Sequence, residues 1–166
     1  EQGALCAECH EVADPTARSV HGPVASGQCS ECHLPHSGRL ASLLADRPQN
    51  LCVQCHEDVS ARISAGVAHP PAEEGECLTC HQPHQSEEAS LLTEGISDLC
   101  ASCHDLEYHD LREAHLGAVG TSVDCRGCHD PHGSKEAGLF QELTHAPFAA
   151  GGCEACHPSN PRGGER

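Results

Sequence analysis

Apolar positions along this chain come in ones and twos, and no run approaches the length of a membrane span. One pattern recurs: Ala41-Ser42-Leu43-Leu44 returns as Ala89-Ser90-Leu91-Leu92, and Leu139-Phe140 takes the same place a third time. A lone leucine stands directly before a cysteine at Leu5, Leu51 and Leu99. Between these points Pro and Gly interrupt the chain repeatedly. The spacing predicts helices of one or two turns at the leucine pairs. It predicts another from His104 through Asp105-Leu106-Glu107-Tyr108 to His115. The expected fold is mostly irregular with short α-helices and little or no β.

The pattern has a period. Cys29, Cys77 and Cys125 are 48 residues apart, Cys52 and Cys100 keep the same step, and Cys6 lies 46 before Cys52. Two classes of site therefore alternate. First-class sites follow the lone leucines. Second-class sites follow a histidine, as in His21-Gly22-Pro23-Val24 and His69-Pro70-Pro71-Ala72. They run on into His33-Leu34-Pro35-His36, His81-Gln82-Pro83-His84 and His129-Asp130-Pro131-His132. After His132 a first-class site is due, but His145-Ala146-Pro147-Phe148 introduces another second-class one, which ends as His157-Pro158-Ser159-Asn160. We divide the single domain, 1–166, into two-site repeats at 1–47, 48–95 and 96–140 with a one-site unit at 141–166.

All fourteen cysteines lie in seven Cys-x-x-Cys-His motifs: Cys6-Cys9-His10, Cys29-Cys32-His33, Cys52-Cys55-His56, Cys77-Cys80-His81, Cys100-Cys103-His104, Cys125-Cys128-His129 and Cys153-Cys156-His157. Structural zinc uses Cys-x-x-Cys half-sites in pairs, and seven cannot be paired. A disulfide scaffold explains an even cysteine count but leaves the histidines unexplained. The motif is the attachment signature of c-type haem, with two thiols joined to the vinyl groups and the adjoining imidazole on the iron. Seven haems are expected, with His10, His33, His56, His81, His104, His129 and His157 as proximal ligands.

Composition points the same way. With one Tyr, two Phe and no Trp or Met, the chain lacks the large side chains of an ordinary core. Flat porphyrins would supply that surface, with the chain wrapped around a line of stacked haems and no independent haem-free fold. The net charge of −16, to which propionates add, disfavours nucleic acid and anionic membranes as partners. Basic docking patches and cationic oxidants suit it better, and a plain solubility surface explains it equally well. Haem attachment of this kind occurs outside the cytoplasm. The expected location is periplasmic or extracellular, with a leader removed ahead of Glu1-Gln2-Gly3-Ala4.

Eight histidines lie outside the motifs. His21, His69, His115 and His145 precede the four second-class motifs, and His36, His84 and His132 match the three first-class motifs in number. His109 has no counterpart and is read as a spare surface residue. The tally fits seven bis-histidine irons. A histidine three residues after the proximal one cannot pass round the porphyrin to its own iron. We therefore assign His21, His69, His115 and His145 to the haems of their own motifs, two, four, six and seven, and His36, His84 and His132 to haems one, three and five. The alternative exchanges the two classes. Arg18 and Arg112, each three residues before a distal candidate, either pair with propionates or stay solvated.

On these motifs the chain resembles the multihaem c-type cytochromes with doubled Cys-x-x-Cys-His motifs, over essentially its whole length. The resemblance implies low-potential electron transfer outside the cytoplasm through closely stacked haems, and some such cytochromes polymerise into extracellular conductive filaments. The histidine eight residues before a motif is similar to the distal ligand of small tetrahaem cytochromes. The seventh site, without its partner, departs from the pattern. Electron transfer is expected rather than catalysis, since every motif is standard and histidines suffice for all irons. The competing class is a reductase with one open iron, with haem seven as the expected location. Two assemblies stand open: a head-to-tail filament in which haem seven of one copy meets haem one of the next, and a soluble shuttle that docks on redox partners.

Overall fold

The computed structural model describes residues 2–11, 14, 16–115, 117, 119–120 and 122–152, and the seventh motif, Cys153-Cys156-His157, lies outside them. Each first-class site opens in a short helix that carries the first cysteine: Gln2–Ala7, Pro48–Val53 and Ile96–Ala101. Three of the four second-class sites are preceded by a single helical turn, Gly22–Ala25, Pro70–Glu73 or Ala146–Ala149, capped by His21, His69 or His145 in extended conformation. A proline in the first positions of these turns presets the helical φ and needs no donor there. The sixth motif differs. His115 follows the helix His109–Ala114 as its C-cap and stands ten residues before its cysteine rather than eight.

Four two-residue strands tie one repeat to the next. β1 (Ser19–Val20) pairs antiparallel with β3 (Gln85–Ser86), and β2 (Val67–Ala68) with β4 (Gly133–Ser134). Each ladder extends by one bond into the histidines, from His21 N–H to the His84 carbonyl at 2.9 Å and from His69 N–H to the His132 carbonyl at 3.2 Å. Ser86 and Ser134, on the second strand of each ladder, are buried and donate to the Leu92 and Phe140 carbonyls. The helix Glu57–Ile63 closes on the second ladder so tightly that a Cβ on Gly133 would lie 2.6 Å from the Arg62 carbonyl oxygen.

The leucine-pair segments are not the right-handed helical turns expected from the sequence. Ser42 and Leu43, Ser90 and Leu91, and Gly138 and Leu139 all have φ between +53° and +73°. Two successive left-handed residues fold the chain back on the motif before it, with bridges His33–Leu44, His81–Leu92 and His129–Phe140. Protein side chains bury very little among themselves. Leu92 is the buried hydrophobic residue among those described, and Leu5, Leu34, Leu43 and Leu78 stand exposed near the motifs. Cores of this size are normally filled by large apolar side chains, and here the surface for an apolar group lies along the motifs instead.

Candidate haem sites

The backward-folded loops aim a carbonyl at each of the three described second-class motif histidines. His33 Nδ1 lies 2.7 Å from the Ser42 carbonyl oxygen, His81 Nδ1 3.0 Å from that of Ser90, and His129 Nδ1 2.7 Å from that of Gly138. Donation from Nδ1 fixes the tautomer and leaves Nε2 as the free nitrogen for a metal. The left-handed φ values accompany this placement of the carbonyls against the rings. Three non-motif histidines are held in the same way: His21 Nδ1 by the Pro83 carbonyl at 3.0 Å, His69 Nδ1 by Pro131 at 2.9 Å, and His115 Nδ1 by Leu111 at 2.7 Å.

Five motif histidines each face one non-motif histidine. Ring centres are 6.1 Å apart for His21 and His56, 5.9 Å for His33 and His84, 6.1 Å for His69 and His104, 6.0 Å for His81 and His132, and 5.9 Å for His115 and His129. An iron bound at about 2 Å by a nitrogen on each face, with roughly 1 Å more from nitrogen to ring centre, sets two axial imidazoles about 6 Å apart. The five separations agree with that value to within tenths of an ångström, which chance aromatic contacts do not require. The residues therefore fit haem iron. Burial, aided by neighbouring imidazoles, pushes the His84 pKa below the ordinary value and favours the neutral form that binds iron. Burial does the same at His132, against the opposing pull of Asp130.

The facing partners differ from the assignment by chain reach. His21 and His69, given to the haems of motifs two and four, stand opposite His56 and His104 in motifs three and five. His84 and His132, given to motifs three and five, stand opposite His33 and His81 in motifs two and four. Only His115 faces the histidine of its own motif. The ladders explain the exchange: pairing β1 with β3 carries His21 away from its own motif and beside the next repeat. His10 and His36 face no second imidazole among the described residues. His145 is described, but the histidine of its own motif is not. His109 is exposed beside Asp110 and Glu113. Arg18 and Arg112 lie 3.7 Å from Glu88 and 2.6 Å from Glu107.

The thiols show how the sites are strung together. Burial and then Cys77 push the Cys52 thiol up to about 11, and burial and then Cys125 do the same to Cys100. Burial and a facing Cys29 raise Cys6, while Cys32 and Cys80 are raised by burial and by Cys55 and Cys103. Cysteines of motifs one and two, two and three, three and four, four and five, and five and six thus approach one another in turn. The attachment edges of the six described motifs thus follow one another in chain order. Close backbone contact permits it: a Cβ on Gly3 would lie 2.7 Å from the Gly27 Cα, and one on Gly75 2.5 Å from the Gln49 Cβ. Among the described residues none of the twelve cysteines pairs with another in a disulfide, and no cluster of three potential ligands gathers for a bare metal ion.

The family model described as the doubled CXXCH motif matches residues 21–61, 69–107 and 117–144, more than half of the chain. The chain belongs to the doubled-CXXCH multihaem c-type cytochromes. No curated protein matches it. The first two matched segments of this cytochrome begin at His21 and His69 and reach past His56 and His104. Each thus encloses one second-class motif, the first-class motif after it, and one facing histidine pair. Covalently attached haem and electron transfer follow from the family, as does a place outside the cytoplasm. No helix among the described residues is long and apolar enough to cross a membrane.

Proposed function

We propose that this cytochrome carries electrons through seven bis-histidine c-type haems as a subunit of an extracellular, head-to-tail conductive filament. The five imidazole pairs support it most directly, because every one joins a motif histidine to a histidine elsewhere and four of the five cross between motifs. Such cross-ligation holds neighbouring porphyrins close, and the line of approaching thiols keeps consecutive sites in order. Haem supplies the reversible one-electron chemistry. The chain's part is to fix two neutral imidazoles per iron, to tune them through Nδ1 hydrogen bonds and to exclude other ligands. No methionine is available to raise a potential by axial ligation. The partners in this proposal are further copies, then basic redox proteins or cationic extracellular acceptors.

Negative-stain imaging of the haem-loaded protein over a range of concentrations tests the assembly. Unbranched fibres of constant width are expected. Uniform small particles throughout would make it a periplasmic shuttle instead.

One observation favours a second reading. His10 is exposed and faces no other imidazole among the described residues, and an iron left open at motif one would give a reductase its substrate position. Carbon monoxide binding that persists in assembled, reduced protein would support that enzyme.

A further inference from the structure

A filament of the proposed kind needs a joint, whose existence rests on that reading, and the chain carries both halves of one that it already uses twice internally. The first half is a donor: two strand residues, a histidine and a capped turn. In β1 and the turn after it, Ala25 N–H bonds to the His21 carbonyl, Ser26 to Gly22, Gly27 to Val24 and Gln28 to Pro23. In the second copy of the device Glu73 bonds to His69, Glu74 to Pro70, Gly75 to Ala72 and Glu76 to Pro71. The third copy repeats it bond for bond: Ala149 to His145, Ala150 to Ala146, Gly151 to Phe148 and Gly152 to Pro147. His145 has φ −64° and ψ 128°, against −64° and 135° for His21 and −76° and 127° for His69. Gly27, Gly75 and Gly151 all adopt left-handed φ two residues before the cysteine. His145 is therefore presented as His21 and His69 are, and unlike His115.

Among the described residues the third donor meets no acceptor. Leu143 and Thr144 stand where Ser19–Val20 and Val67–Ala68 form ladders, yet Leu143 is 92% exposed. No bond from His145 N–H or Nδ1 is found among the described residues. A segment of the acceptor's kind stands unused at residues 35–38. Pro35-His36-Ser37-Gly38 corresponds to Pro83-His84-Gln85-Ser86 and Pro131-His132-Gly133-Ser134, the segments that receive the first two donors. Its residues His36, Ser37 and Gly38 are exposed, and the Pro35 and His36 carbonyls accept nothing among the described residues. Phe148 sits edge-on to Phe140 at 5.7 Å, which anchors the donor turn to the sixth site.

We infer that residues 143–145 of one copy pair with residues 36–38 of the next, and that the two copies exchange axial ligands across this joint. The internal register sets Leu143 opposite Gly38 and Thr144 opposite Ser37. It sends His145 forward to the iron of His10, as His21 goes to that of His56 and His69 to that of His104. It sends His36 back to the iron of motif seven, as His84 goes to that of His33 and His132 to that of His81. Every iron then has two imidazoles, and only His109 is left over. The contact joins two different surfaces, so it propagates rather than closing into a symmetric pair.

The test reads carbon monoxide binding and particle form on the same samples of reduced, haem-loaded protein. Wild type should bind two equivalents of carbon monoxide per copy when dilute and single, and none once fibres form. His36→Ala should leave one equivalent bound in every assembled copy, and His109→Ala should behave as wild type. Fibres with no carbon monoxide binding in His36→Ala would overturn this joint while leaving the filament standing. Absence of fibres at every concentration would overturn the filament and the joint with it.

A second pair of variants acts on the strands alone, because proline removes a ladder donor. Leu143→Pro and Gly38→Pro should each give single particles, and their equimolar mixture should give dimers. Fibres from either variant alone, or a mixture that stays single, would refute the pairing.

Discussion

His21 and His56 face each other at 6.1 Å with their rings 18° from parallel, although one introduces the second motif and the other closes the third. The antiparallel pairing of Ser19–Val20 with Gln85–Ser86 places them there. His21→Ala should therefore open the iron of motif three. Carbon monoxide titration should find one additional equivalent. In a chain lacking that haem (Cys52→Ala, Cys55→Ala, His56→Ala) the same substitution should add none. An equivalent gained on that background would return His21 to motif two.

The left-handed pair before each Phe140-type position invites a backbone experiment. Gly138→Ala should cost about 1 kcal/mol from its φ of +73°, and the new Cβ meets the Phe140 ring at 3.4 Å. Ser90→Gly should change stability by less than about 1 kcal/mol, because relief of the left-handed strain offsets the greater freedom of glycine in the unfolded chain. Urea midpoints of the holoprotein measure both.

Two glycines with nearly the same φ, Gly75 and Gly151, separate strain from collision. Gly151 has open space where a Cβ would stand, whereas at Gly75 a Cβ would collide with Gln49 at 2.5 Å. Gly151→Ala should lose only the left-handed penalty of about 1 kcal/mol. Gly75→Ala should lose more, and should separate the Cys52 and Cys77 attachment edges. The comparison is made on unfolding midpoints and on the yield of fully haem-loaded protein, and equal losses would count against the close approach.

Among the described residues, Leu92 is the hydrophobic side chain that protein atoms bury. Chain produced without haem attachment should show no cooperative thermal transition and should be digested rapidly by protease. A sharp melting transition in haem-free chain would show a protein core of its own.

Assembly should also respond to salt. Copies with a formal charge of −16 repel one another, and raising ionic strength from 0.01 to 0.15 M shortens the screening length from about 30 to about 8 Å. Fibre formation followed by light scattering should shorten its lag accordingly. A longer lag would point to a charge-paired joint.

The sequence alone determined the chemistry of each site, because Cys-x-x-Cys-His is a local arrangement: two thiols and an imidazole placed by five consecutive residues. It also determined the 48-residue period, the two classes of site and the shortage of ordinary core residues. Which second imidazole faces each of the five paired motif histidines was not local. Chain reach alone favoured the nearest motif, and two-residue strands such as Ser19–Val20 are too short to leave a periodic signal. Only the tertiary structure shows that these ladders lift His21 and His69 onto the next repeat and bring His84 and His132 back to the previous one. The same holds for Ser42 and Ser90, whose left-handed turns look like helix in sequence. Their conformation is imposed by hydrogen bonds to residues of the motif before them, and such long-range bonds override local propensity.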